Sequence, residues 1–312
     1  RRVADDRVGN FMTVHKDFSS LDSTFFRRYV NRWRLEPGER VGDLRRPVEP
    51  ITYYIDRTVP DEYRGWFKEA VENWNTAFEA AGWVDAIRAL DLPDDADPND
   101  IRYSVLRWNT SDDPGYSAIG PSKVDPRTGE ILDADILFEA NGFRGFRNTW
   151  RNIVNPVTAA EAFEMVLGVG EFQAPDPNLP GMELPGFGSA LEAQGALAGL
   201  VLAARDELDP GDPLPDELLR QYTVWLVMHE VGHTLGLRHN FRSSASTPMD
   251  RLHNTEFTRR NGVYSSVMEY PTVNLAGPGE PSGDYYTHDA GSYDRWAISY
   301  AYTQNQDDAN NI

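Results

Sequence analysis

The sequence predicts an α+β fold, in which one twisted, mixed sheet of five strands carries a long helix. Five short runs rich in β-branched and aromatic residues, bounded by turn residues, occur between residues 51 and 138. One stretch of helical periodicity, over residues 60–81, separates the first run from the other four. The fourth run contains Pro121, and proline in a sheet is confined to edge strands or bulges. This order of elements indicates a mixed sheet backed by a helix, with the fourth strand at an edge.

The elements are bounded by ordinary turn and capping residues. The long helix begins at Pro60, which is followed by two acidic residues, and Gly82 ends it. The turn at residues 125–129 joins the last two strands into a predicted hairpin. The predicted strands are Ile51–Ile55, Ala86–Leu90, Ile101–Trp108, Gly115–Val124 and Ile131–Phe138. Further helices are predicted over Ser189–Leu208, Pro215–Gly236 and Tyr293–Tyr302.

The charge distribution divides the chain. Residues 1–46 carry a net charge of +4, whereas the rest of the chain carries −23. This basic arm is rich in aromatic residues, so we expect it to pack on the acidic body rather than form a solvated tail. Residues 37–50, with three prolines, are typical of a linker. We predict an arm over residues 1–46, a subdomain over 47–239 with an insertion at 139–214, and a smaller C-terminal subdomain over 240–312.

Composition excludes several classes of protein. The 312 residues carry a net charge of −19 and include no Cys, which excludes disulfides and thiolate metal sites. The acidic balance argues against nucleic acid or an anionic membrane as the main partner. No apolar run approaches the roughly 20 residues of a membrane span, and no apolar leader follows the opening arginines, so we expect no signal peptide in this chain. The Asp-rich stretch 91–100 could be a calcium site or a solvated turn.

The segment from His229 to His239 carries the chemistry, because it fits the pattern H-E-x-x-H-x-x-G-x-x-H at every fixed position. His229 and His233 lie four residues apart, so a helix presents both to one metal ion. Glu230 would lie beside that face as a general base that does not ligate the metal. Gly236 can adopt positive φ, which turns the chain out of the helix so that His239 becomes the third ligand. Three imidazoles leave a position open for water, as in catalytic zinc sites, although Co, Ni, Cu or Fe could also bind.

This motif resembles that of the metzincin clan of zinc endopeptidases. The clan has a second mark, a tight turn with a methionine beneath the zinc site, and residues 266–270 around Met268 match it. The resemblance implies a zincin-like fold with an active-site cleft above the smaller C-terminal subdomain. It also implies one catalytic Zn²⁺, with Gly236 and Met268 structural at the site. Tyr270, two residues after the methionine, would ligate zinc or stabilise the oxyanion.

The resemblance extends to other parts of the chain. Several segments are similar to those of a group of large bacterial, exported zinc-dependent metzincins. Metalloprotease A subunits of AB-type enterotoxins are related to that group. The resemblance implies a secreted or periplasmic bacterial protein, in which the arm would belong to the end of an upstream domain. The matching segments are residues 5–9, 29–35, 51–55, 74–78, 125–131 and 293–298.

The sequence therefore predicts a zinc-dependent endopeptidase, in which Glu230 takes a proton from a metal-activated water molecule. An extended peptide substrate would pair with the edge strand around residues 116–124. The alternatives that remain open are an exopeptidase, a zinc-binding module that no longer catalyses, the catalytic A subunit of a toxin-like complex, and a latent or partner-dependent protease with the arm across its cleft. The sequence makes no prediction about the oligomeric state.

Overall fold

Among the residues that the structure describes, eleven short strands and five α-helices have both ends defined, and residues 140–144, 198 and 201–202 are also helical. That structure is a computed structural model, and it describes residues 1–21, 24–111, 116–144, 198, 201–202, 215–277 and 279–304. The strands are β1 Met12–Lys16, β2 Phe26–Val30, β3 Pro37–Val41, β4 Leu44–Pro47, β5 Ile51–Ile55, β6 Ile87–Asp91, β7 Ser104–Asn109, β8 Ala118–Ile119, β9 Lys123–Val124, β10 Ile131–Asp133 and β11 Ile136–Glu139. The helices are α1 Asp61–Asn73, α2 Asn75–Ala80, α3 Asp216–Thr234, α4 Thr255–Asn261 and α5 Ser292–Tyr302. Two short 3₁₀ turns cover Ser243–Ala245 and Met249–Arg251.

The central sheet has five strands in the order β6-β5-β7-β11-β8. The first four are mutually parallel, and β8 pairs antiparallel with β11 at one edge. The predicted α+β fold with a mixed five-stranded sheet is thus confirmed. Most of the predicted insertion, and nearly all of the predicted helix Ser189–Leu208, lie outside the described residues.

The long predicted helix is interrupted at one residue. Trp74 ends α1 and begins α2, and its backbone N–H bonds to the carbonyl of Val71, three residues back rather than four. The indole of Trp74 is fully buried and donates a hydrogen bond to the carbonyl of Met228 on α3, 3.2 Å away. The break in the helix therefore coincides with a long-range hydrogen bond from the Trp74 side chain. Helical periodicity in the sequence does not reveal this break.

The predicted linker over residues 37–50 is wrong. The segment forms the β3–β4 hairpin, whose turn contains Gly42 at φ +61°. Arg45 ties this hairpin to the body, since its N–H donates to the carbonyl of Gly82 and its carbonyl accepts from Val84, both at 3.0 Å. Proline and glycine therefore mark a turn in this segment rather than a linker. The backbone groups of the segment form hydrogen bonds with one another and with the body.

The predicted hairpin after β7 is divided between two ladders. The strands β8 and β9 are separated at residues 120–122, which include Pro121. β8 stays in the central sheet, whereas β9 pairs with β10 in a separate two-stranded ladder. The predicted strand at 101–108 also begins later, at Ser104. Pro121 has no N–H to give to a ladder, which accounts for a break at this point.

Helix α3 lies at the centre of the molecule. Nearly all of its residues are buried, and it packs against α1, which also contacts the strands β5 and β6. Helix α5 packs on α2, with the rings of Tyr302 and Phe78 in edge contact at 5.0 Å. In the described part of the chain, no helix combines the length and the apolar character that crossing a membrane requires.

Candidate metal centre

Helix α3 carries two of the three predicted ligands on one face. It begins after Pro215, with Asp216 and Glu217 in the first turn, where acidic groups favour the helix dipole. His229 and His233 lie in its last two turns, with ring centroids 4.8 Å apart. The four-residue spacing therefore brings both imidazoles to the same place, as the motif predicts.

The turn at Gly236 brings the third histidine back to the helix. Gly236 adopts φ +98°, its N–H donates to the carbonyl of His233, and the N–H of Leu237 donates to that of Gly232. This pair of hydrogen bonds is the Schellman arrangement that ends helices at a glycine. A Cβ on Gly236 would lie 2.1 Å from the carbonyl oxygen of Asn31, so both conformation and space require glycine.

The three imidazoles converge on one point. A candidate ligand atom from each of His229, His233 and His239 lies within 4.8 Å of the other two, and Nε2 of His233 is 3.0 Å from Nε2 of His239. Nδ1 of His229 bonds to the carbonyl of Val267 at 2.8 Å, and Nδ1 of His233 to that of Leu237 at 2.9 Å. A carbonyl only accepts, so each Nδ1 carries the proton and each Nε2 presents a lone pair.

These nitrogens fit a zinc ion. Nε2 of His229 is buried and has no hydrogen-bond partner among the described residues. Burial lowers the pKa of His229 and His233, and burial followed by repulsion from His233 and Arg238 lowers the pKa of His239 to about 4. The imidazoles are therefore neutral at pH 7, the form that binds metals. Two nitrogens on one tetrahedral zinc ion are about 3.4 Å apart, close to the separation of His233 and His239.

Glu230 lies beside the triad, against the edge strand. Its side chain is buried, and this burial raises its pKa to about 8, opposed by a hydrogen bond from the backbone of Gly120. A Cβ on Gly120 would lie 2.8 Å from the carbonyl oxygen of Glu230 and 3.3 Å from its Oε2. A divalent cation held by the histidines would favour the ionised carboxylate. The end of β8 and the carboxylate therefore face each other across a gap that admits only glycine.

Met268 and Tyr270 lie on the other side of the triad. Met268 is fully buried, and a Cβ on Gly232 of α3 would lie 2.3 Å from its Sδ, so the missing side chain makes room for the methionine under the helix. The phenol oxygen of Tyr270 is 2.6 Å from Nε2 of His239. Burial, with a smaller effect from Glu230, raises the pKa of Tyr270 to about 12, so the phenol keeps its proton at neutral pH.

Asp294 supports the backbone segment that holds the first ligand, a role that the sequence did not indicate. This fully buried carboxylate accepts hydrogen bonds from the hydroxyl of Ser266 at 2.6 Å and from the N–H groups of Val267 and Gly291, both at 2.9 Å. Val267 in turn accepts from Nδ1 of His229. Asp294 falls in a segment of family resemblance, residues 293–298, which was the only signal available for it.

The basic arm also contacts the site. Asn10 forms an antiparallel bridge with Leu237, between the second and third ligands. The N–H of Phe11 donates to the carbonyl of Gly236, and the carbonyl of Gly9 accepts from Arg238, both at 2.8 Å. The carbonyl groups at the end of α3 are satisfied in a similar way, because the indole of Trp33 donates to Thr234 at 2.9 Å. Sequence patterns gave no sign of this pairing.

The C-terminal part of the chain matches a known family. Residues 211–311 match the family model described as Met-zincin. The chain is similar to Met-zincins over this segment. No curated protein and no solved structure matches the chain significantly. The matched range contains the three histidines and the methionine turn, so the predicted relation to the metzincins is confirmed, and the domain is that of a zinc metallopeptidase.

The acidic loop before β7 forms ion pairs with basic side chains of the protein itself. Asp91, at the end of β6, forms ion pairs with Arg64 at 2.5 Å and Lys68 at 2.8 Å. Further along the loop, Asp100 pairs with Arg102. These carboxylates thus have cationic partners from the protein itself, and calcium in this loop stays a prediction.

Proposed function

We propose that this chain is a zinc-dependent endopeptidase, which hydrolyses peptide bonds within extended segments of protein substrates. The observation that carries the proposal is the convergence of three neutral imidazoles with a buried carboxylate on one side and a phenol on the other. A zinc ion held by His229, His233 and His239 would supply a Lewis acid for the scissile carbonyl and would make water acidic enough to attack at neutral pH.

Glu230 is the general base in this proposal. Its carboxylate lies one residue after the first ligand on the helix and is buried away from bulk water. In such a buried site, the surrounding groups strongly influence proton transfer. It accepts the proton of the attacking water and delivers it to the leaving amine. A divalent cation held by the histidines would oppose the effect of burial on the pKa of Glu230 and keep its carboxylate ionised, as a base requires.

Tyr270 is the group that stabilises negative charge on the carbonyl oxygen. Its phenol keeps its proton, and its oxygen lies at hydrogen-bonding distance from a ligand nitrogen. A hydrogen-bond donor aimed at developing charge is worth about 10²–10³ in rate in comparable hydrolases.

The edge strand β8 is the binding surface for the peptide backbone. β11 pairs with one side of β8, and the sheet order ends there. The strand runs into Gly120, which faces the carboxylate of Glu230. A substrate that adds to this edge as a further strand would have its backbone fixed alongside the metal ligands.

A peptide blocked at both ends tests the proposal. The zinc-loaded protein should cleave it internally, a chelator should stop the reaction, and added zinc should restore it. Glu230→Gln should keep one zinc ion per chain and lose at least about 10³-fold in kcat, because a general base and its charge are removed. Cleavage only of peptides with a free end would indicate an exopeptidase instead, and wild-type turnover by Glu230→Gln would remove Glu230 as the base.

A further inference from the structure

Two exposed phenylalanine rings lie next to the metal ligands. The ring of Phe11, in the arm, is 5.8 Å from that of His233, and 42% of the residue surface is exposed. The ring of Phe241, just after the third ligand, is 5.5 Å from His239 and 5.8 Å from Tyr270, with 66% exposed. The two rings therefore offer exposed apolar surface directly beside the candidate metal centre.

Backbone hydrogen bonds fix where both rings are attached. Phe11 is hydrogen-bonded through its N–H to Gly236 and through its carbonyl to Asn31, at 2.8 and 2.9 Å. Phe241 follows Asn240, whose N–H donates to the carbonyl of Met268 at 3.0 Å. Because these hydrogen bonds involve the turn at Gly236 and the methionine turn, the backbone of both residues is held beside the ligands. A residue with a fixed backbone loses only side-chain freedom when its ring binds an apolar partner.

We propose that Phe11 and Phe241 are specificity-determining residues, which select peptides with a bulky apolar side chain next to the scissile bond. The proposal rests on the proposed endopeptidase function and adds its substrate class. An apolar substrate side chain that covers the rings is removed from water together with the ring surfaces. A glycine at the same position leaves the rings exposed to water.

The charges near the rings disfavour a cationic side chain in this place. Arg238 is close enough to His239 to lower its pKa, and the exposed Arg242 directly follows Phe241. A metal ion held by the histidines would add further positive charge. An apolar side chain avoids this electrostatic cost.

The test compares doubly blocked peptides that differ only in the residues flanking the cleaved bond: Gly, Leu, Phe, Lys or Glu. We expect kcat/KM for the Leu and Phe peptides to exceed that for the Gly peptide by at least about 10-fold, since one apolar contact is worth 10–200-fold. Phe11→Ala and Phe241→Ala should each reduce this ratio several-fold while the protein keeps one zinc ion per chain. Phe241→Leu should keep the preference.

Phe18→Ala is the matched control. Phe18 is 81% exposed on the same arm, but it stacks on Phe25 beyond the end of β1 rather than on a ligand. It should leave every ratio unchanged. A wild-type preference for Lys, Glu or Gly, or ratios that are unaffected by both alanine variants, would overturn the proposal.

A binding measurement separates this inference from the proposed function. Zinc-loaded Glu230→Gln should bind the Phe peptide at least about 10-fold more tightly than the Gly peptide. Equal affinities would overturn the specificity proposal even if the wild-type protein cleaves peptides. Failure of the wild-type protein to cleave any of the blocked peptides, together with selective binding by Glu230→Gln, would instead overturn the endopeptidase function and leave the apolar preference standing.

Discussion

Asp294→Asn is the most informative single change, because it tests how the support of the metal site depends on pH. The carboxylate of Asp294 holds Ser266, Val267 and Gly291 together, and burial raises its pKa from 3.8 to about 6 despite these three donors. An asparagine can keep the network. Its Oδ1 accepts from the two N–H groups, and its amide donates to the hydroxyl of Ser266. The substitution therefore removes the titration while it keeps the hydrogen bonds.

The magnitude follows from the raised pKa. Because the folded state binds the proton more tightly, it takes up more protons than the unfolded state between pH 4 and 6, and the free energy of unfolding falls as pH rises through this window. A shift of about two units corresponds to about 3 kcal/mol in total, of which about 2 kcal/mol falls between pH 4.5 and 7.5. Relative to Asp294→Asn, the wild-type protein should lose this amount over that range.

Urea unfolding of the two zinc-loaded proteins at pH 4.5 and 7.5 measures the effect. Protonation of the histidine ligands at low pH weakens both proteins alike, so the difference between the two variants isolates Asp294. Parallel pH profiles, with a change in the difference below about 0.5 kcal/mol, would show that Asp294 titrates normally and that the reasoning from burial is wrong.

Three further predictions concern the site itself. Gly236→Ala should destabilise the protein by more than about 2 kcal/mol, measured in urea, because it combines positive φ with a clash against Asn31; Gly42→Ala, at φ +61° in open space, is the matched control and should cost about 1 kcal/mol. His239→Ala should weaken zinc binding more than about 100-fold in chelator competition, and an unchanged affinity would refute its role as a ligand. Tyr270→Phe should lower kcat about 10²–10³-fold with zinc content intact, whereas a wild-type rate would mean that the ring only packs.

Local patterns predicted the parts of the site that depend on local geometry. The spacing of His229 and His233 and the turn at Gly236 follow from helix periodicity and from the conformational freedom of glycine, so they can be read from eleven residues. The central sheet was predictable for the same reason, because each strand has its own composition and boundaries. The match to the Met-zincin family over residues 211–311 agrees with that reading.

The contacts that hold the site together were not predictable in this way. The bridge between Asn10 and Leu237, the hydrogen bond from Trp33 to Thr234 and the carboxylate of Asp294 join residues that are distant in sequence. No periodicity encodes them, since each depends on where a second element comes to lie. The break at Trp74 has the same origin, because its indole bonds to a helix that lies far along the chain.

The pairing of the arm with the ligand turn has a consequence for how the protein is made. Residues 9–11 leave the ribosome more than 200 residues before Gly236–Arg238, their backbone partners. During synthesis the arm therefore carries an unpaired strand edge, which is open to wrong partners, and the turn that bears His239 stays unsupported until both segments meet. Contacts of such long range form slowly. The turn that places His239 beside the other two histidines is therefore complete only after two distant parts of the chain have come together.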